Sequence, residues 1–361
     1  MQRKRDSVGM FDVLKGCQMF TIVLVHHCFF VNGGLAPFDA SSLLARFTDW
    51  TTLVIGLFFV IAGYQFRPAK RLGEYIKRQF RSLILPYFVA ILVSAIGRTL
   101  MLFFTTGQIR FQTMTTIIAG GLYGAIQNVE LLGVWADTIQ ALWFLPVFFF
   151  SGLFFQLLHK ISGRKKSVVI WSLTAAAVGF PDAYHVQLPW FLVQSFAVLG
   201  MMETGRYLRE KKILYRRLPI WFLVIAMGAF LFCHLFSVSN IASNVYRFWM
   251  LDYLAAIMMS VVVMRGYLRF GVEDWKGAAL LEYTGMYSML FFLIHGVGLL
   301  VIPWERSFGN YIMSLGMFSV LPVPAAAVIL FAGRCAGILL GCKGLELLIR
   351  RRYRKIEKRK K

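Results

Sequence analysis

Residues 11–31, FDVLKGCQMFTIVLVHHCFFV, form an apolar run long enough to cross a bilayer, with Asp12, Lys15, His26 and His27 in it or at its mouth. An ionisable side chain inside a span costs several kcal/mol, so it is usually paired or faces a cavity at a functional site. Lys15 and His26 are eleven residues apart, close to three helical turns. Their side chains therefore fall on nearly one helix face, about 16 Å apart along the axis. A satisfied core histidine and a snorkelling lysine would explain each residue singly. Two adjacent histidines with an acidic residue on one span favour a functional site. His27 points about 100° away from His26, so at most one of the pair shares a cavity with Lys15, and register selects His26.

Working outward, 58% of the residues are hydrophobic and 16% charged, with a mean hydropathy of +0.65. A soluble domain runs nearer 45–50% apolar and 25% charged, so this is an integral membrane protein. The net charge of +22 comes from basic clusters set between apolar segments. That pattern speaks for membrane topology and against nucleic acid. The five cysteines lie in or beside apolar runs without a C-x-x-C pair. They read as buried small residues, and no metal site is expected. Residues 2–5 followed by the first apolar run imitate a secretory signal, but Asp12 and Lys15 interrupt the run and no A-x-A pattern closes it. It reads as a retained first span.

The sequence predicts an all-α, polytopic membrane protein with about ten spans, at 11–31, 48–66, 82–105, 139–158, 167–180, 188–205, 218–236, 246–264, 280–302 and 310–342. With a cytoplasmic N-terminus, the inside segments are 1–10, 67–81, 159–166, 206–217, 265–279 and 343–361. Every dense basic cluster falls in them, whereas the outside segments carry isolated cations such as Arg46, Arg110 and Arg306. The positive-inside rule therefore puts both termini in the cytoplasm. The longest outside connection, 106–138, carries apolar residues such as Tyr123, Leu131 and Trp135 and reads as a lid or re-entrant segment. Residues 1–345 form one transmembrane domain, and the basic tail 346–361 reads as an anchor against anionic lipid headgroups.

Five elements in order resemble the acyltransferase 3 family. They are FDVLKG (11–16) with Val25 and His26, GLFFVIAGY (56–64), YIKRQFR (75–81) running on to LPY (85–87), ALWFL (141–145), and GMYS (285–288) with LIH (293–295). The likeness covers residue 11 to about residue 340. It implies a multi-pass plasma-membrane enzyme of bacterial type. Such an enzyme moves an acyl group, commonly acetyl, from cytoplasmic acyl-CoA to a hydroxyl of a cell-surface or lipid-linked carbohydrate. His26 takes the family's essential histidine position, with Lys15 and Asp12 at its basic and acidic positions. Lysine stands where arginine is commoner, which exchanges a bidentate fork for a point charge. The LWFL form lacks the glutamate found after the tryptophan in some relatives, so no catalytic glutamate is assigned there.

The residue chemistry agrees with that implication. A sugar hydroxyl is a poor nucleophile until a base removes its proton, and neutral histidine does this near pH 7. His26 is the candidate base or transient acyl carrier. Arg78 and Arg81, one helical turn apart, present a guanidinium face suited to coenzyme A phosphates. Trp143, Tyr64 and His295 are secondary site candidates, and Arg98, Asp252, Glu282 and Arg334 are further polar residues within spans. The competing class is a secondary transporter or lipid-linked glycan flippase. The sequence lacks the two related halves with matching interrupted helices that such carriers often show.

Overall fold

A computed structural model describes residues 7–34, 51–237, 239–271, 275–302 and 323–360. Residues 2–5, Arg46, Arg306 and the first part of the last expected span, 310–322, lie outside the described residues. The chain is almost wholly helical. In order, the helices are α1 (Ser7–Gly34), α2 (Thr51–Gln65), α3 (Leu72–Gln79), α4 (Leu85–Thr106), α5 (Phe111–Tyr123) and α6 (Phe144–Ile161). Then follow α7 (Lys166–Val178), α8 (Leu192–Ala197), α9 (Leu199–Glu210), α10 (Ile220–Phe236), α11 (Met250–Phe270), α12 (Ala278–Met286), α13 (Ser288–Val301) and α14 (Val323–Lys360). Over their described residues, the apolar segments read from the sequence are largely helical. Among the described residues, four helices are long and apolar enough to cross a membrane, or five if a bent pair counts as one.

The bent pair is α12 with α13. The segment 280–302, expected as one span, turns by 79° at Tyr287. Helix α12 is held closely against α1. Gly16 of α1 abuts the backbone of Leu281, and Gly285 abuts the backbone of Asp12, so closely that a Cβ on either glycine would overlap a main-chain oxygen. These contacts pair the two helices in opposite chain sense, and the turn then carries α13 back along α1. The segment 188–205 is likewise broken, by a 3₁₀ turn at Pro189–Phe191 and again between α8 and α9.

Glycines also set the crossing of α2 and α9, where Gly63 abuts Met202 and Gly205 abuts Val60. The rings of Phe11 and Tyr64 meet at 5.3 Å, so α1 begins where α2 ends. Gln156 near the end of α6 and Arg209 near the end of α9 both reach the segment just after α2. Basic stretches at 67–71, 164–166 and 211–217 are thereby gathered at one end of the bundle, the end at which α1 starts.

The connection 106–138 is folded. Helix α5 is followed by the hairpin β1 (Val129–Leu131) and β2 (Val134–Ala136), turned at Leu132 and Gly133 with φ of 49° and 80°. Asp137 ties the hairpin back to α5, its N–H donating to Thr116 O at 3.0 Å while the Thr116 hydroxyl donates to its carboxylate at 2.6 Å.

Candidate active site

Helix α1 carries the two groups that define the site. At its start, Lys15 Nζ lies 2.8 Å from Asp12 Oδ1, one turn earlier, and both side chains keep about a quarter or less of their surface accessible. The lysine charge is thus locally compensated, which lowers the cost of holding it in a span. Three turns on, the ring of His26 faces that of His295 from α13, with centroids 5.2 Å apart. His295 is 2% exposed, and neither of its ring nitrogens has a hydrogen-bond partner among the described residues. Arg334 of α14, also buried, lies within electrostatic reach of both imidazoles. His27 turns the other way, against Phe331 at 5.9 Å.

The LWFL element lies beside this pair. Leu142 packs against Gly296, the residue after His295. Trp143 is buried against Phe144 and Phe191 at 6.1 and 6.3 Å. Phe144 meets Phe58 and Phe59 of α2 at 5.5 Å and Phe292 of α13 at 5.4 Å. Residues scattered from His26 to His295 in the sequence therefore converge on one buried layer. Tyr64 lies elsewhere, at the start of α1, its ring against Phe11. Of the other polar residues within spans, Asp252 accepts from the Ser237 hydroxyl and the Phe248 N–H, both at 2.8 Å, which is a structural cap. Arg98 reaches the Val301 carbonyl at 3.5 Å.

At the α1-start end, a cavity of about 720 Å³ opens under the segment joining α2 to α3. Arg67, Lys70, Arg71 and Arg78 supply its positive charge, and Glu74 is the acidic residue in its lining. Glu74 is paired with Arg71 at 2.9 Å. The Arg78 guanidinium stands 5.8 Å from the centre of the Tyr75 ring, which also lines the cavity. Arg81 is not among the lining residues. It falls in a π-helical turn, Phe80–Ile84, and the wider turn takes it off the face that Arg78 presents.

The connecting segment is held by its neighbours. Gln156 accepts from the Ala69 N–H at 3.0 Å and donates to Arg67 O at 3.1 Å, clasping both sides of Pro68. Arg209 donates to the carbonyls of Tyr64, at 3.1 Å, and Phe66. Behind it lies a buried ionic group. Glu203 accepts from the Ser167 hydroxyl at 2.6 Å and from Arg206, and His159 Nε2 is 3.5 Å away. Arg67, Lys70 and Arg71 escaped the sequence reading as site residues, although the basic run around Pro68 was a visible signal. Gln156 and Arg209 left none, because their partners lie 87 and 145 residues away.

The profile of the acyltransferase 3 domain family matches residues 9–342. The chain belongs to that family, and it is a membrane acyltransferase. No curated protein and no solved structure matches it.

Proposed function

We propose that this protein transfers an acyl group, most simply acetyl, from cytoplasmic acyl-CoA to a hydroxyl of a cell-surface or lipid-linked carbohydrate, at the plasma membrane. The observation that carries the reading is the pairing of a cationic cavity at one end of the bundle with a buried imidazole pair further along it, on neighbouring helices. Arg67, Lys70, Arg71 and Arg78 supply the charge that coenzyme A phosphates require, and guanidinium groups bind phosphate oxygens in bidentate fashion. The basic stretches gathered at that end support its placement in the cytoplasm, with both termini there across about ten spans.

The distances suit this donor. Lys15 and His26 are separated by about 16 Å along α1. The arm from the coenzyme A pyrophosphate to its sulfur is a chain of about a dozen bonds, which extended reaches roughly 14 Å at the spacing of a three-bond residue. Phosphates at the basic end thus leave the thioester near the imidazole layer.

In the reaction, the acceptor oxygen bonds to the thioester carbonyl carbon while His26 takes the hydroxyl proton. The carbon–sulfur bond then breaks, and the departing coenzyme A thiolate recovers the proton. Alternatively, His26 attacks the thioester carbonyl and the carbon–sulfur bond breaks to release the thiolate. The acceptor oxygen then takes the acyl group from His26 while its proton passes to the thiolate. Arg334 and His295 border the place where the carbonyl oxygen gains negative charge. A fixed cation there favours that charge in a site withdrawn from water.

Purified protein in liposomes with labelled acetyl-CoA tests the reading. Acyl transfer or slow hydrolysis of the thioester is expected. Solute movement without loss of the acyl group would identify a carrier instead.

A further inference from the structure

Helix α6 links the two halves of the site by one of its faces. Phe144, Phe148, Gly152 and Gln156 recur every fourth residue and so form one stripe, about 18 Å long. Gln156, Gly152 and Phe148 line the cationic cavity, and Phe148 stands at its inner limit with Ala62 and Met202. Phe144 comes one turn further, 5.5 Å from Phe148 and 5.4 Å from Phe292, which is one turn before His295. Both Phe144 and Phe148 keep accessible surface, although rings surround them.

Gly152 is unlike the glycines that let helices cross. A Cβ at Gly16, Gly63, Gly205 or Gly285 would overlap a neighbour's backbone, but at Gly152 it would meet first the phenolic oxygen of Tyr75, 2.7 Å away and also in the cavity lining. No backbone contact requires this glycine. A side chain there would have to displace the Tyr75 hydroxyl, which borders the stripe between the cations and the aromatic layer.

We infer that this face of α6 is the track along which the donor's arm lies, and that Phe144 closes the track at the acyl end and so sets the length of acyl group the enzyme accepts. The inference rests on the acyl-CoA reading given above. An acyl group that passes Phe148 meets the Phe144 ring, braced by Phe58, Phe59 and Phe292. Each further methylene must displace a ring that has packed neighbours, and a misfit of that size in an apolar pocket discriminates about 10- to 200-fold.

Transfer rates from acetyl-, butyryl- and hexanoyl-CoA, measured on purified protein, test it. Wild-type protein prefers acetyl. Phe144→Ala raises the butyryl-to-acetyl ratio of kcat/KM at least tenfold, and Phe144→Leu, which keeps more of the packing, raises it by less. Gly152→Leu raises the donor KM at least tenfold for every chain length while leaving the ratio unchanged, and Gly152→Ala raises it by less. An unaltered ratio in both Phe144 variants, each eluting as folded protein, overturns the inference while the acyl-CoA reading stands. A wild-type donor KM in Gly152→Leu overturns it equally. If wild-type protein takes no acyl group from coenzyme A, the reading beneath it fails and the inference falls too.

Discussion

The cavity beneath the α2–α3 connection and the imidazole pair of α1 and α13 belong to one bundle but stand on different helices and are made of opposite materials. The first is lined by exposed cations on a short segment, with Arg71 and Arg78 open to solvent. That segment is held by Gln156 and Arg209 from neighbouring helices. The second is buried, with His295 only 2% exposed, and is positioned by whole helices whose backbones touch at Gly16 and Gly285. A surface of exposed cations suits binding a polyanion, whereas proton transfer needs groups fixed to within fractions of an ångström. Under the proposed function, binding falls to one end and chemistry to the other, and each assignment can be broken separately.

The largest effect is expected where the chemical end is built. Gly285→Val drives a branched side chain into the Asp12 backbone. Because backbone cannot yield as a rotamer can, the cost exceeds the ~1–3 kcal/mol typical of overpacked side chains. Folded protein recovered from membranes should fall severalfold. Undiminished yield would mean that α1 and α12 do not meet as described. Next comes His26→Ala, which should lower kcat by 10²–10⁴-fold while insertion is unaffected, as the loss of a general base typically does. His27→Ala should cost far less, since that ring faces Phe331. The opposite order of the two mutants would break the register of α1.

Smaller effects belong to the binding end. Arg78→Ala should raise the donor KM about tenfold, the scale of one charge-assisted contact, and leave the acceptor KM alone. Arg78→Lys should recover only part of the loss, since an ammonium lacks the fork. Arg81→Ala should have the least effect, because the π turn carries it off the cavity lining. Equal effects at Arg78 and Arg81 would restore the simple helical face that the sequence alone suggested.

That last contrast shows what could be read in advance. Apolar run length located the helices, and a spacing of eleven residues put Lys15 and His26 on one face of α1. The salt link to Asp12 is an i,i+3 pair, visible in sequence. Late motifs flagged His295 but not its partner, since the ring contact with His26 joins residues 269 positions apart. The bend at Tyr287 was illegible for a similar reason. Its segment is apolar from Met289 onward apart from His295, and the polar residues before that, Glu282, Thr284 and Ser288, do not by themselves announce a turn. Helix α12, which precedes it, is the part packed on α1 at Gly285. Likewise, nothing local to 66–71 announces that Gln156 and Arg209 fix it. The hairpin in 106–138 had a signal in Gly133, where a positive φ is needed for the tight turn.

The separation of binding from chemistry is tested most directly by measuring acetyl-CoA affinity and transfer rate side by side in two variants. His26→Ala should bind acetyl-CoA with wild-type affinity and turn over about 10²–10⁴-fold more slowly. Arg78→Ala should bind about tenfold more weakly and, at saturating donor, turn over near the wild-type rate. If His26→Ala loses donor affinity in step with activity, or Arg78→Ala loses kcat with its KM unchanged, the two ends do not divide the work and the account is contradicted.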